Sequence, residues 1–143
     1  MKAFVPYLLF NGNCRSAVQF YAEAFGAHVH VSTYAESGEQ NPAVAPLVMH
    51  AKLTAPALDL MASDCPPDRA VPAGRSVALS VDCESPSEQD RLFAALGDGG
   101  TVTMPLQNTF WGARFGMLDD QFGIPWMFNY DLPASERSQP PSA

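Results

Sequence analysis

No stretch of the chain approaches the roughly 20 apolar residues that cross a bilayer. Its opening, Met1-Lys2-Ala3-Phe4-Val5-Pro6, breaks at a proline and soon reaches polar Asn11-Gly12-Asn13, so it does not read as a secretory signal. A cytoplasmic protein is the expectation. Basic charge is scarce: 8 Lys and Arg stand against 15 Asp and Glu, for a net charge of −7. Neutralising phosphates takes a surplus of cations, so neither a nucleic acid nor an anionic membrane surface is expected as a partner. The three cysteines, Cys14, Cys65 and Cys83, include no C-x-x-C pair, which excludes a zinc ribbon or a disulfide framework and leaves three reduced thiols. Cys65, in Asp64-Cys65-Pro66-Pro67, has no histidine near it in sequence to activate it as a nucleophile. There is no phosphate-cradling glycine loop. Gly99-Gly100 follows a helical pattern and reads as a turn. No Ser-His-Asp signature and no H-E-x-x-H occur either.

What is present is a normal core composition, 47% hydrophobic over 143 residues, enough for one domain or for two small half-modules that share a core. Ala3 to Phe10 is β-like, and Asn11-Gly12-Asn13 is a turn whose last residue suits a helix N-cap. From Cys14 to Phe25 the apolar positions Ala17, Val18, Tyr21, Ala24 and Phe25 recur at helical spacing, and Gly26 stops the helix. His28 to Tyr34 alternates as a second strand. Glu36 to Pro46 is a polar loop, expected to be mobile. Leu47 to Thr54 and Ala57 to Ser63 are strands joined tightly near Ala55-Pro56. Asp64 to Gly74 reads as a linker.

The pattern then restarts. Ser76 to Asp82 is a strand. Ser85-Pro86-Ser87-Glu88 is a capping box with proline at the first helical position, Leu92, Phe93 and Leu96 form an apolar helix face, and Gly97 closes it. Thr101 to Met104, Arg114 to Leu118 and Pro125 to Tyr130 are further strands. Leu8 and Leu79, Phe10 and Val81, Tyr21 and Leu92, Phe25 and Leu96, and Gly26 and Gly97 are each 71 residues apart. This internal repeat predicts an α+β fold of two tandem βαβββ modules, about 3–64 and 75–131, forming a curled mixed sheet with a concave cleft in one domain over 1–131. The Pro- and Ser-rich residues 132–143 are expected to be a flexible tail.

The loop within Met104 to Met117 is the oddest stretch. Phe110 and Trp111 lie side by side, with Gln107 and Asn108 before them and Arg114 after. Large aromatics on a loop need something to pack on: a ligand in a pocket, the core, or a dimer seam. Arg114 can fork onto an anion or pair with a surface carboxylate.

Phe10-Asn11-Gly12-Asn13-Cys14, Phe20-Tyr21 before Phe25-Gly26, Leu60-Met61-Ala62-Ser63-Asp64, Thr103-Met104-Pro105-Leu106-Gln107, Phe110-Trp111-Gly112 with Phe115-Gly116, and Asp120-Gln121-Phe122-Gly123 with Trp126 lie in order from about Pro6 to Tyr130. In these motifs the chain resembles the PhnB-like branch of the vicinal oxygen chelate superfamily, which includes glyoxalase I, bleomycin-resistance proteins and extradiol dioxygenases. Catalytic members hold a divalent metal with His or Glu from four strands. The matching positions here are Pro6, Asp59 or Leu60, Ser76 and Met127. Proline and methionine are not ligands for a hard metal, so no metal or other cofactor is expected, and a divalent ion would need a rebuilt site. Proteins of this branch are sometimes labelled ubiquinone-pathway methyltransferases, but the chain has neither a doubly wound pattern nor a glycine-rich loop after its first strand.

The resemblance implies a protein that binds a small molecule in a cleft, as a homodimer. The alternative is a metal-dependent lyase, isomerase or dioxygenase-type enzyme with a non-standard site. His50, in the alternating run Leu47 to Leu53, is the candidate acid or base, with a satisfied structural histidine as the alternative. His28 and His30 share one strand face and fit solvent exposure more simply than a metal site. Met61, Asp64, Gln107, Phe110, Trp111, Arg114 and Asn129 are the candidate ligand-binding residues.

Overall fold

The structure, a computed structural model, describes residues 1–137. The chain forms two compact units, Met1–Pro72 and a second that begins at Ala73. Each has the order strand, helix, strand, strand, strand, so the tandem βαβββ reading holds, and hydrogen bonding closes a separate four-stranded sheet in each unit.

In the first unit β1 (Tyr7–Phe10), α1 (Cys14–Phe25), β2 (His28–Thr33), β3 (Val48–Ala55) and β4 (Leu58–Asp64) give the sheet order β1-β4-β3-β2. β1 runs parallel to β4, and the other pairings are antiparallel. The face packed on α1 carries Leu53, Ala51, Leu60 and Ala62 against Ala17, Val18, Tyr21 and Ala24, all buried. Gly26 takes the left-handed conformation, φ 63°, that ends α1. Asn13 occupies the N-cap position, but its side chain makes no capping bond. The carboxylate of Asp64 does that work from the end of β4: Oδ1 accepts from Gly12 N and Cys14 N, both at 2.9 Å, and Oδ2 from Val48 N at 2.9 Å. Residues 36–46, expected as a mobile loop, are drawn into a fold by backbone bonds at their base such as Ala35 N to Ala45 O and Tyr34 N to Leu47 O. The linker is fastened too, because the Asn11 side chain both donates to Val71 O and accepts from Val71 N.

In the second unit β5 (Leu79–Asp82), α2 (Pro86–Gly97), β6 (Thr101–Asn108), β7 (Ala113–Asp119) and β8 (Pro125–Asp131) give the order β5-β8-β7-β6. The capping box forms as expected at its serine: Ser85 Oγ accepts from Glu88 N, while the Glu88 carboxylate accepts from Glu84 N. Gln89, wholly buried on α2, donates to Arg114 O and Phe128 O and so bolts the helix to the sheet. β6 runs four residues past its expected end at Met104. It can include Pro105 because it is an edge strand whose register slips between Met104 and Gln107, where a missing N–H breaks no ladder.

The first residues of the expected tail make contacts with the second unit. Leu132 is buried and donates to Gly112 O, and Arg137 Nε donates back to Leu132 O around a short turn at Ala134–Glu136. The remainder of the expected tail, 138–143, lies outside the described residues.

Candidate functional site

Each sheet buries one face under its helix and leaves the other without a helix. Strand alternation and register decide which side chains stand there. In the first unit, Tyr7, Met61, Lys52 and His30 form one cross-strand row, and the pairs Leu9–Ser63 and Ser32–His50 share its parity. His28 shares their parity. All three histidines therefore share the helix-free face. Tyr7 and His50 lie on strands separated by β4, yet the Tyr7 hydroxyl and His50 Nδ1 come within 3.2 Å, with ring centroids 5.8 Å apart. The side chains reach over β4 where Ser63 is short and buried. In the tautomer with the proton on Nε2, Nδ1 accepts from the phenol. His50 is thus paired with a group that sequence reading passed over. The signal for Tyr7 was its parity with Leu9, which puts it on the same face.

In the second unit, Gln107, Phe115, Asn129 and Asp82 make one row of the helix-free face, flanked by Met104, Met117, Met127 and Ser80. Trp111 leans on this row: its ring lies 5.7 Å from Phe115 and 5.1 Å from Phe110, edge to face in both cases. Phe110 is 78% exposed and Trp111 54%. The Asn129 amide is oriented by Asp82 Oδ1 at 3.0 Å and Asp131 Oδ1 at 3.2 Å, which both accept from its Nδ2. An aromatic ledge beside an amide edge and two carboxylates is suited to a flat apolar group with a hydrogen-bonding rim.

The structure gathers Gln107, Phe110, Trp111 and Asn129 and sets Met61 beside the Tyr7–His50 pair. Two of the expected ligand-binding residues are placed elsewhere. Asp64 is 2% exposed and its carboxylate is taken by three backbone N–H groups, so it is a cap and a clamp, not a ligand anchor. Arg114 points to the α2 side, where it pairs with Asp90 at 2.7 Å and bonds Gln89 Oε1 and Pro86 O. Its three-residue spacing from Trp111 misled because β7 starts at Ala113 and its alternation turns Arg114 to the opposite face.

At the positions that the resemblance matched to metal ligands, Pro6 uses its carbonyl to accept from Met61 N and Met127 offers only a thioether. Among the described residues no three His, Cys, Asp or Glu side chains converge on one point. Two of the three thiols are buried and not poised for reaction. Burial pushes the Cys14 thiol up to about 12, with the neighbouring Asp64 charge adding to it, and pushes Cys83 up to about 11, with Glu88 and Asp82 adding. The Asp120-Gln121-Phe122-Gly123 motif is architectural: Asp120 Oδ1 accepts from Phe122 N and Ile124 N, and Oδ2 from Trp126 Nε1, closing the β7–β8 turn. No helix among the described residues is long and apolar enough to cross a membrane.

Residues 2–128 match the family described as 3-demethylubiquinone-9 3-methyltransferase. The chain is 33% identical to Protein YjdN of Escherichia coli K12, over 87% of this chain and 92% of that protein. Among solved structures it is similar to protein PA1353 from Pseudomonas aeruginosa, with 39% identity, a TM-score of 0.85, and 93% of this chain and all of that one covered. It is also similar to a putative 3-demethylubiquinone-9 3-methyltransferase, PhnB protein, from Bacillus cereus, with 26% identity, a TM-score of 0.77, and 90% and 99% of the two chains covered. The paired modules, the match along nearly the whole chain and these relatives agree: the chain belongs to the PhnB-like 3-demethylubiquinone-9 3-methyltransferase family, on a fold of the glyoxalase/bleomycin resistance/dioxygenase type.

Proposed function

We propose that the chain binds a small molecule on the helix-free face of its second unit, with Trp111 and Phe110 holding a flat apolar part and the Gln107 and Asn129 amides reading a polar edge. The observation that carries this reading is the exposed aromatic ledge, Phe110–Trp111–Phe115, ending in a row that contains both amides. A side chain the size of tryptophan left half in water is costly unless something covers it. The other tryptophan, Trp126, is 3% exposed and bonded to Asp120, so a ligand-induced change in emission reports on Trp111. Titration with a panel of small aromatic acids and antibiotics is expected to change that emission. Trp111→Phe should remove the signal, and Asn129→Ala should weaken binding about tenfold, as for a lost hydrogen bond. An unresponsive panel, together with a Trp111→Ala variant that sediments at half the mass of the parent, would instead make the ledge a dimer seam.

A second reading rests on the Tyr7–His50 contact. A phenol held on an imidazole is a proton-transfer pair, so an enzyme using His50 as acid or base is the alternative. A methyl transfer that uses the turn after β1 to hold its cofactor is not favoured, because the Asp64 carboxylate already occupies the Gly12 and Cys14 N–H groups there. Metal analysis separates the enzyme readings. Stoichiometric zinc, nickel or iron that is lost in His50→Ala would overturn the expectation that the chain holds no metal and would favour the enzyme reading.

A further inference from the structure

An open concavity of about 470 Å³ lies in the first unit where the folded 35–47 segment meets the turn at Pro67–Arg69. Its size is that of a small-molecule pocket. Tyr34 forms one wall, fixed in place by its hydroxyl, which donates to Asp64 O at 2.8 Å. Val44, Pro66 and Pro67 add apolar surface. Three charged residues line the same space: Glu39, Asp68 and Arg69. Among the described residues, the Arg69 guanidinium takes part in no ion pair and no side-chain hydrogen bond, in a chain with nearly twice as many acids as bases. The Glu39 carboxylate has one oxygen engaged, accepting from Asn41 N, and the other unengaged. Burial and the Cys65 thiol push the Tyr34 phenol above its ordinary value, and the Arg69 charge draws it back, so the guanidinium acts at the same wall as the ring.

The combination selects a ligand class. A simple anion would gain Arg69 but meet Glu39 and Asp68, and a simple cation would meet the reverse. A molecule with both charges and an apolar body satisfies all three and the proline–tyrosine–valine walls together. We propose that this concavity is a second binding site, for a small apolar zwitterion of the α-amino acid type, with its carboxylate on Arg69, its ammonium on Glu39 and Asp68, and its side chain against Val44, Pro66 and Pro67.

Isothermal titration of the full chain with L-leucine, 4-methylpentanoate and isopentylamine tests it, since the last two each lack one charge. Leucine is expected to bind, and each single-charge analogue to bind about tenfold more weakly or worse, the scale of a lost charge-assisted contact. Arg69→Ala should weaken leucine by a similar factor, and Arg69→Lys by less. Trp111→Phe should leave leucine binding unchanged, which separates this site from the aromatic ledge. Because Arg69 is exposed, its replacement is not expected to disturb folding. No heat with leucine at millimolar concentration, equal binding of the analogues, or unchanged binding in Arg69→Ala would each overturn the proposal.

Discussion

Asp64 accepts three backbone N–H groups from two separate segments, the turn into α1 and the start of β3, while almost fully buried. Its replacement by alanine strands those donors, so Asp64→Ala is expected to cost roughly 3 kcal/mol or more, read as a lower urea midpoint at unchanged slope. The thiols give a second residue-scale prediction. Cys14 is fully buried and Cys83 nearly so, whereas Cys65 is half-buried, so Ellman's reagent at pH 8 should titrate one thiol in the native protein and three after denaturation. The same two buried thiols set a pH dependence. An acid whose pKa is raised by folding stays protonated in the fold while the unfolded chain ionises near 9.0. Stability from Cys14 and Cys83 is therefore complete below about pH 9 and is lost as pH rises toward 11 and 12. An alkaline midpoint that moves upward in a Cys14→Ala variant is the expected outcome.

The two helices occupy equivalent places in the repeat but start by different means. α2 carries its own cap, and Ser85→Ala should cost about 1 kcal/mol. α1 is capped from β4, so Asn13→Ala, at a site whose side chain bonds nothing there, should change stability by less than about 0.5 kcal/mol. Chemical denaturation of the two variants side by side checks the contrast. In β7, Gly116 is a packing requirement: a Cβ there would stand 3.0 Å from Phe93 and 2.9 Å from Leu106. Gly116→Ala is expected to lose roughly 1–3 kcal/mol by overpacking, which Phe93→Leu in the same chain should partly restore.

For the molecule as a whole, the acidic balance and the exposed apolar residues point in different directions. A net charge of −7 opposes association, yet Phe4, Val77, Phe110 and Trp111 are each more than half exposed. Self-association through such surface is proposed to prevail at moderate salt, because screening weakens the repulsion and leaves the apolar term untouched. Sedimentation at physiological ionic strength is expected to give twice 15.4 kDa, with the dimer fraction falling at low salt. A monomer under both conditions would remove the homodimer proposal and with it the seam reading of Trp111.

Local order was legible in the sequence wherever it depends on near neighbours. Helical spacing located α1 and α2, Gly26 and Ser85 marked a stop and a start, and the 71-residue repeat disclosed the paired modules with their motifs. Those features are set by backbone geometry and periodic apolar positions, which a single chain carries in its own spacing. Tertiary structure alone decided what each polar side chain is for. Asp64 and Arg114 became scaffold because register turned them toward helices, while Tyr7 joined His50 across an intervening strand that no local spacing reveals. The pocket of Tyr34 and Arg69 likewise unites segments more than 30 residues apart. A hydrogen bond or a cavity is a property of positions in space, and only the folded chain fixes them.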